Sequence, residues 1–193
     1  GPRSRRSNSR NLLVWSCNTA GALGAWSLLN HLQQNGGPDV VFLQEASFKD
    51  HEWPSFQRRV DRDGFHSFFS GANTKVDGQD KHGGTAILVK KNLVVRPAWK
   101  LCHVGGSAQA VWLGGKLLVS LYLAPTFESQ EVFALTVAKL FSLPQGTQWV
   151  MGGDFNATPE ECPFRYVFGA EAFEILASGK PRGGMERDVL IIF

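Results

Sequence analysis

Trp149-Val150-Met151-Gly152-Gly153-Asp154-Phe155-Asn156 is an apolar run that stops abruptly at two glycines, an acid and an amide. Two earlier stretches have the same form: Leu12-Leu13-Val14-Trp15 runs into Ser16-Cys17-Asn18, and Val40-Val41-Phe42-Leu43 runs into Gln44-Glu45. A short apolar run bounded by polar residues predicts a strand buried on both faces. Between the first two lies a helical pattern over residues 22–35, with Ala22, Ala25, Trp26, Leu29 and Leu32 on one face and Gly36-Gly37-Pro38 as the stop. Together these pieces make a β-α-β unit. A second helix is expected over residues 128–142, opened by Glu128 and Glu131, with Phe133, Val137, Leu140 and Phe141 recurring on one side and Pro144 following. Between the two ends the sequence predicts a β-rich middle, with strands at 65–70, 84–89, 93–99, 108–113 and 116–122 and an exposed loop at 74–81.

Composition sets the frame. With 193 residues and 43% hydrophobic content the chain can bury one sizeable core, so a single domain is expected. No apolar run approaches the roughly 18 residues of a membrane span, and the first residues carry no signal-peptide h-region. Arg3, Arg5, Arg6 and Arg10 account for the excess of base; without them 16 basic residues face 17 acidic ones. The body is therefore near neutral, and its formal charge does not argue for a basic binding face. Residues 1–10 read as a disordered basic arm, with contact to nucleic acid or nuclear import as the functional alternative. Cys17, Cys102 and Cys162 form no C-x-x-C pair and leave one thiol over in any pairing, which fits a reduced, intracellular compartment.

The three buried strands deliver Asn18, Glu45, Asp154 and Asn156 to one place if their carboxyl ends converge, as they do in open sheets flanked by helices. Carboxylates at the rim of an apolar core are costly unless solvated, hydrogen-bonded or neutralised. Oxygen-only ligands of this kind suit Mg²⁺ or Mn²⁺. Each residue also has a plainer reading. Glu45 could be a solvated strand-end carboxylate, Asp154 and Asn156 turn formers, Asn18 a helix cap and Tyr122 a core tyrosine.

Taken in order, Ser16-Cys17-Asn18-Thr19-Ala20-Gly21, Leu43-Gln44-Glu45, Gly83-Gly84-Thr85-Ala86-Ile87-Leu88, Leu121-Tyr122-Leu123-Ala124-Pro125 and Gly152-Gly153-Asp154-Phe155-Asn156 resemble the motifs of the endonuclease/exonuclease/phosphatase superfamily. The likeness covers most of the chain from Asn11 onward. It implies an α+β, DNase I-like fold: a four-layer α/β/β/α sandwich with two packed mixed β-sheets. It further implies Glu45 as the principal metal ligand, with Asn18 beside the metal and its water. Asp154 would orient or deprotonate the attacking water, Asn156 would donate to the substrate phosphate, and Tyr122 would contact phosphate or the leaving oxygen. The activity implied is that of a Mg²⁺- or Mn²⁺-dependent phosphodiesterase acting on nucleic acid, most like retrotransposon or abasic-site endonuclease domains. An impaired remnant or binding module of the same fold, and a lipid or inositol phosphate phosphatase, are the alternatives.

Two departures qualify the resemblance. Abasic-site endonucleases carry a second acid two residues after the first-strand Asn, where this sequence has Ala20. The family also ends in a Ser-Asp-His segment, preceded by a strand whose Asp orients that His. Here Glu186-Arg187-Asp188-Val189-Leu190-Ile191-Ile192-Phe193 resembles that strand, which makes Asp188 a site candidate, and the sequence then stops. His31, His51, His66, His82 and His103 all precede Asp154; His82, beside Gly83-Gly84, reads as a loop histidine. On this reading residues 11–193 are the domain without its C-terminal His segment. It is then expected to bind metal but hydrolyse poorly, with residues 189–193 forming an unpaired sheet edge.

Overall fold

The computed structural model describes residues 11–32, 37–48, 51–73, 82–157, 161–168, 174–177 and 188–192, with the backbone alone at 72, 73, 82, 174–177 and 188–192. The expected arm at 1–10, the loop at 74–81 and the predicted helix end at 33–35 lie outside these residues. The first part of the chain gives β1 (Val14–Asn18), α1 (Ala22–Leu32), β2 (Val40–Gln44), α2 (Trp53–Arg62), β3 (Phe65–Asn73) and β4 (His82–Lys90). There follow β5 (Val95–His103), β6 (Gly106–Leu113), β7 (Lys116–Leu123), α3 (Ser129–Phe141), β8 (Trp149–Asp154), α4 (Pro163–Phe168), β9 (Glu174–Ala177) and β10 (Asp188–Ile192). One sheet has the order β1-β2-β4-β3 and the other β5-β6-β7-β8-β10-β9. Parallel pairs (β1 with β2, β7 with β8) are combined with antiparallel ones in each, so both sheets are mixed.

Side-chain alternation along the buried strands sorts the core into three layers. On β2, Val40 and Phe42 face the opposite sheet, alongside Ile87 and Val89 of β4 and against Val111 and Leu113 of β6 and Leu118 of β7. Val41 and Leu43 face the other way, against Ala25, Leu29 and Leu32 of α1 and Phe56 and Val60 of α2. The second sheet repeats the scheme: Leu117, Val119, Leu121 and Met151 pack outward on Val132 and Leu140 of α3 and on Phe164 of α4. Helices therefore cover both outer faces, which is the expected four-layer α/β/β/α arrangement.

The differences from the sequence reading have local causes. β1 begins two residues later than its apolar run, because Leu12 and Leu13 lie on the surface, Leu13 with 51% of its area exposed, and the strand continues through Asn18. α2 has no counterpart in the sequence reading; it starts with Pro54 in its first turn and buries only Phe56 and Val60 among polar residues. His82 opens β4, paired with Asn73, so it is a strand residue and not a loop histidine. Residues 188–192 are not an unpaired edge either. β10 has β8 on one side and β9 on the other, and the four residues of β9 are too few to show a strand period in sequence.

The sheets approach closely at Gly152. A Cβ there would stand 2.9 Å from Phe42 Cγ and 3.0 Å from Ser16 Oγ, both reaching across from the first sheet. Only a residue without a side chain fits, so Gly152→Ala should destabilise the fold by about 1–3 kcal/mol through overpacking. Urea unfolding measures this, and Phe42→Leu added to Gly152→Ala should recover part of the loss. On the far side of the second sheet Cys162 is fully buried beside α4. Burial raises its thiol pKa above the ordinary 9.0, with hydrogen bonds at Phe164 and Arg165 opposing in part. Above pH 9 the unfolded chain thus loses this proton before the folded chain does, and stability falls as pH rises. Cys162→Ala should flatten that part of the stability profile.

Candidate functional site

The layer between the sheets is apolar at one end and polar at the other. Continuing the inward-facing positions toward the strand ends leads from Val14 to Ser16 and Asn18 on β1, and from Phe42 to Gln44 on β2. On β7 it leads from Leu118 to Ser120 and Tyr122, and on β8 from Val150 through Gly152 to Asp154. Gln44 is fully buried and donates through Nε2 to Ser120 Oγ at 3.2 Å and to Ser16 Oγ at 3.4 Å. Ser120 Oγ in turn donates to the Leu43 carbonyl at 3.0 Å. Sequence motifs alone gave no role to Ser16, Gln44 and Ser120; the signal for them was available in the period of two, which places them on the same faces as Asn18, Tyr122 and Asp154.

Asp154 is the centre of the polar end. It is 0% exposed, and an ionised carboxylate there requires donors. Its Oδ2 accepts from Asn18 Nδ2 at 2.7 Å, across the gap between the sheets, and its Oδ1 accepts from the backbone N–H of Asn156 at 3.0 Å. Charge-assisted bonds of this length hold the carboxylate in one orientation. Asn156 has a left-handed φ of 47° and its Nδ2 donates to the Leu123 carbonyl at 2.7 Å, which fastens the turn after β8 to the end of β7. Gly153 lets this turn close, since a Cβ there would stand 2.6 Å from the Leu121 carbonyl oxygen and 3.1 Å from the Phe155 ring.

Asn18 caps no helix. Its Oδ1 accepts from Ala20 N–H at 2.8 Å, an Asx turn that ends before α1 begins, and its Nδ2 is spent on Asp154. Tyr122 stands opposite Asp154 in the β7–β8 register and is 6% exposed; a Cβ on Gly83 would be 3.1 Å from its ring. Asp188 opposes Asp154 in backbone register from the other side, on β10. The second sheet thus aligns Tyr122, Asp154 and Asp188 in one row, while the first sheet pairs Asn18 with Gln44.

Glu45 follows directly. It is half-buried, with a left-handed φ of 52°, and its carbonyl accepts from Gly21 N–H at 2.7 Å. Thr19 N–H donates to the Gln44 carbonyl at 2.9 Å, so the loop between β1 and α1 is stitched to the end of β2. The donor set tests which cation could sit here. Glu45 offers carboxylate oxygens, both Asp154 oxygens already accept one bond, and Asn18 Oδ1 has one lone pair engaged. Among the described residues no group of three or more His, Cys, Asp or Glu side chains gathers in metal-binding fashion. These residues fit a hard ion that keeps most of its water, as Mg²⁺ does, and not a thiolate- or imidazole-bound one. No helix among the described residues is long and apolar enough to cross a membrane.

The same architecture occurs in solved structures of low sequence identity. A 3′ phosphatase from Neisseria, solved with a product DNA hairpin, aligns with a TM-score of 0.63 at 15% identity over 94% of this chain and 86% of its own. The endonuclease domain of a telomere-specific non-LTR retrotransposon, TRAS1, aligns with a TM-score of 0.59 at 18% identity, over 94% and 85%. A mannosyl-6-phosphatase from Bacteroides thetaiotaomicron aligns with a TM-score of 0.61 at 13% identity, over 94% and 85%. No curated protein matches the chain in sequence. The sequence model of the Endonuclease/Exonuclease/phosphatase family matches residues 14–166, a span that runs from β1 through Glu45, Tyr122 and Asp154 into α4, and the chain belongs to that family of enzymes acting on phosphoester bonds.

Proposed function

We propose that this chain is a phosphodiesterase of nucleic acid, assisted by a divalent cation, Mg²⁺ or Mn²⁺, held near Glu45. The observation that carries this reading is the buried Asp154 carboxylate, fixed by Asn18 and Asn156 at the strand end next to Glu45. A bound divalent ion supplies Lewis-acid stabilisation of charge on the phosphate oxygens. A carboxylate fixed in this way can act as general base toward a substrate water brought to the strand end, taking its proton as the phosphate is attacked. Asn18 keeps that carboxylate from rotating and adds no negative charge. Tyr122 and Asn156 offer a phenol and an amide to a phosphate oxygen, and one Asn156 amide hydrogen remains beyond its bond to Leu123. Asp188, opposite Asp154 in register, is assigned as a positioning residue of the same row.

Structures similar to this one include a 3′ phosphatase with a product DNA hairpin and a retrotransposon endonuclease domain as well as a sugar phosphatase, so the substrate class is tested directly. Hydrolysis of DNA, abasic DNA, RNA, phosphoinositide and sphingomyelin is measured at fixed Mg²⁺, and cleavage of a nucleic acid is expected. Failure on all nucleic acids with turnover of a lipid would replace the reading, and failure on the whole panel would leave a binding module. Asp154→Asn should lower kcat by about 10²–10⁴. Because an amide at 154 can accept only on its oxygen side, either Asn18 Nδ2 or the Asn156 N–H would then face an NH₂ group. A stability loss of about 1–3 kcal/mol is therefore expected alongside, and the folded fraction must be measured with the rate. A wild-type rate in Asp154→Asn would sink the water-handling role. Mn²⁺ should broaden resonances around Glu45 in the wild type and not in Glu45→Gln; equal broadening in both would move the cation elsewhere.

A further inference from the structure

Beside the strand end that carries Glu45, the outer face of the first sheet holds a second concavity. It encloses about 280 Å³ between the start of α1 and the start of α2 and is lined by Ala22, Trp26, Phe48, His51, Glu52 and Ser55. The chain ties it to the site, because Gly21 bonds the Glu45 carbonyl immediately before Ala22.

Its wall is aromatic and braced. Trp26 meets Phe56 edge to face at 5.3 Å, and Phe48 packs on Phe56 at 4.6 Å. Behind them Trp53 stacks on Phe69 at 4.1 Å. The indole is held by these rings yet keeps 37% of its surface exposed. The rim is polar. His51 is exposed, Glu52 stands next to it, and Ser55 Oγ accepts from Arg58 Nη2 at 3.0 Å, which brings an exposed guanidinium to the mouth. Neither the aromatic wall nor the guanidinium takes part in the chemistry around Asp154.

We propose that this concavity receives one nucleotide of the bound strand, adjacent to the phosphate at the Glu45 end, with the base against Trp26 and a flanking phosphate at Arg58. The inference rests on the nucleic-acid reading above and names a specific subsite for it. Every base offers a π face to an indole, and base edges offer donors and acceptors to the imidazole, carboxylate and hydroxyl of the rim. Arg58 supplies the planar donor that phosphate favours. A lipid chain would bring an apolar surface to a rim of imidazole, carboxylate and guanidinium, and a bare sugar phosphate would leave the indole face uncovered.

The test is equilibrium binding of a fluorescein-labelled oligothymidylate, and of an abasic tetrahydrofuran backbone of equal length, read by anisotropy in EDTA so that the strands stay whole. The wild type should bind the base-bearing strand about tenfold more tightly. Trp26→Ala should erase that difference without changing affinity for the base-free strand, Trp26→Phe should keep part of it, and Arg58→Ala should weaken both. Urea midpoints confirm that the variants fold. Equal wild-type affinity for the two strands, or a base preference that survives in Trp26→Ala, overturns the proposal. Hydrolysis of the same strands in Mg²⁺ separates the two readings. Trp26-dependent base binding without cleavage supports the subsite and defeats the phosphodiesterase, whereas cleavage with a base preference indifferent to Trp26 does the reverse.

Discussion

The hydrogen bond from Asn18 Nδ2 to Asp154 Oδ2, 2.7 Å long, joins residues 136 positions apart and crosses from one sheet to the other. It can form only if the sheets face each other at the right spacing, and that spacing is set a few residues deeper, where Gly152 accepts the ring of Phe42. Fold and site are in this sense one constraint. The apolar inter-sheet layer brings the carboxyl ends of β1, β2, β7 and β8 together, and the buried Asp154 charge is tolerable only because that convergence supplies its donors. Removing the Asn18 donor takes away the bond that crosses between the sheets, so the site and the alignment of the sheets depend on each other.

Much of this is legible in sequence because of how the strands are buried. β2 and β8 are covered on both faces, so they appear as uninterrupted apolar runs, and the residues that end the runs are the ones that reach the polar end of the sandwich. Where burial is partial, the reading weakens. Leu12 and Leu13 extend the apolar run of β1 but lie on the surface, and the half-buried strand slides to Val14–Asn18. α2 does carry a helical period, with Trp53, Phe56 and Val60 on one side, but with only three apolar positions among polar residues and a proline in its first turn it is easily passed over as a loop. Short β9 carries no period at all, and so the strand that flanks β10 stays hidden until the sheet is assembled.

At the proposed site, Asn18, Glu45, Tyr122, Asp154 and Asn156 can be picked out as candidates in sequence, but not how they are held. Glu45 and Asn156 both adopt left-handed backbone, which sequence signals readily only for glycine. The buried Gln44, with Ser16 and Ser120, supports the site from below through bonds between side chains far apart in the chain. Such a network has no local signature beyond its parity along each strand. The aromatic concavity is less legible still, since Trp26 reads as one more apolar residue on the buried face of α1, yet it keeps 37% of its surface exposed while its ring meets Phe56 of α2.

The loop between β1 and α1 connects these two surfaces. Thr19 and Gly21 donate to the carbonyls of Gln44 and Glu45, and Asn18 holds Ala20 while it holds Asp154. Gly24 allows α1 to begin against the Thr19 carbonyl, which a side chain at that position would strike. A single short segment thus fixes the buried carboxylate on one side, the Glu45 backbone in the middle, and the first residues of the Trp26 wall on the other. With a base against Trp26 as proposed above, these bonds would tie it to the strand end that carries Glu45, and holding a base and the phosphate beside it in register is the geometric condition for an in-line attack to recur at one bond of a flexible strand.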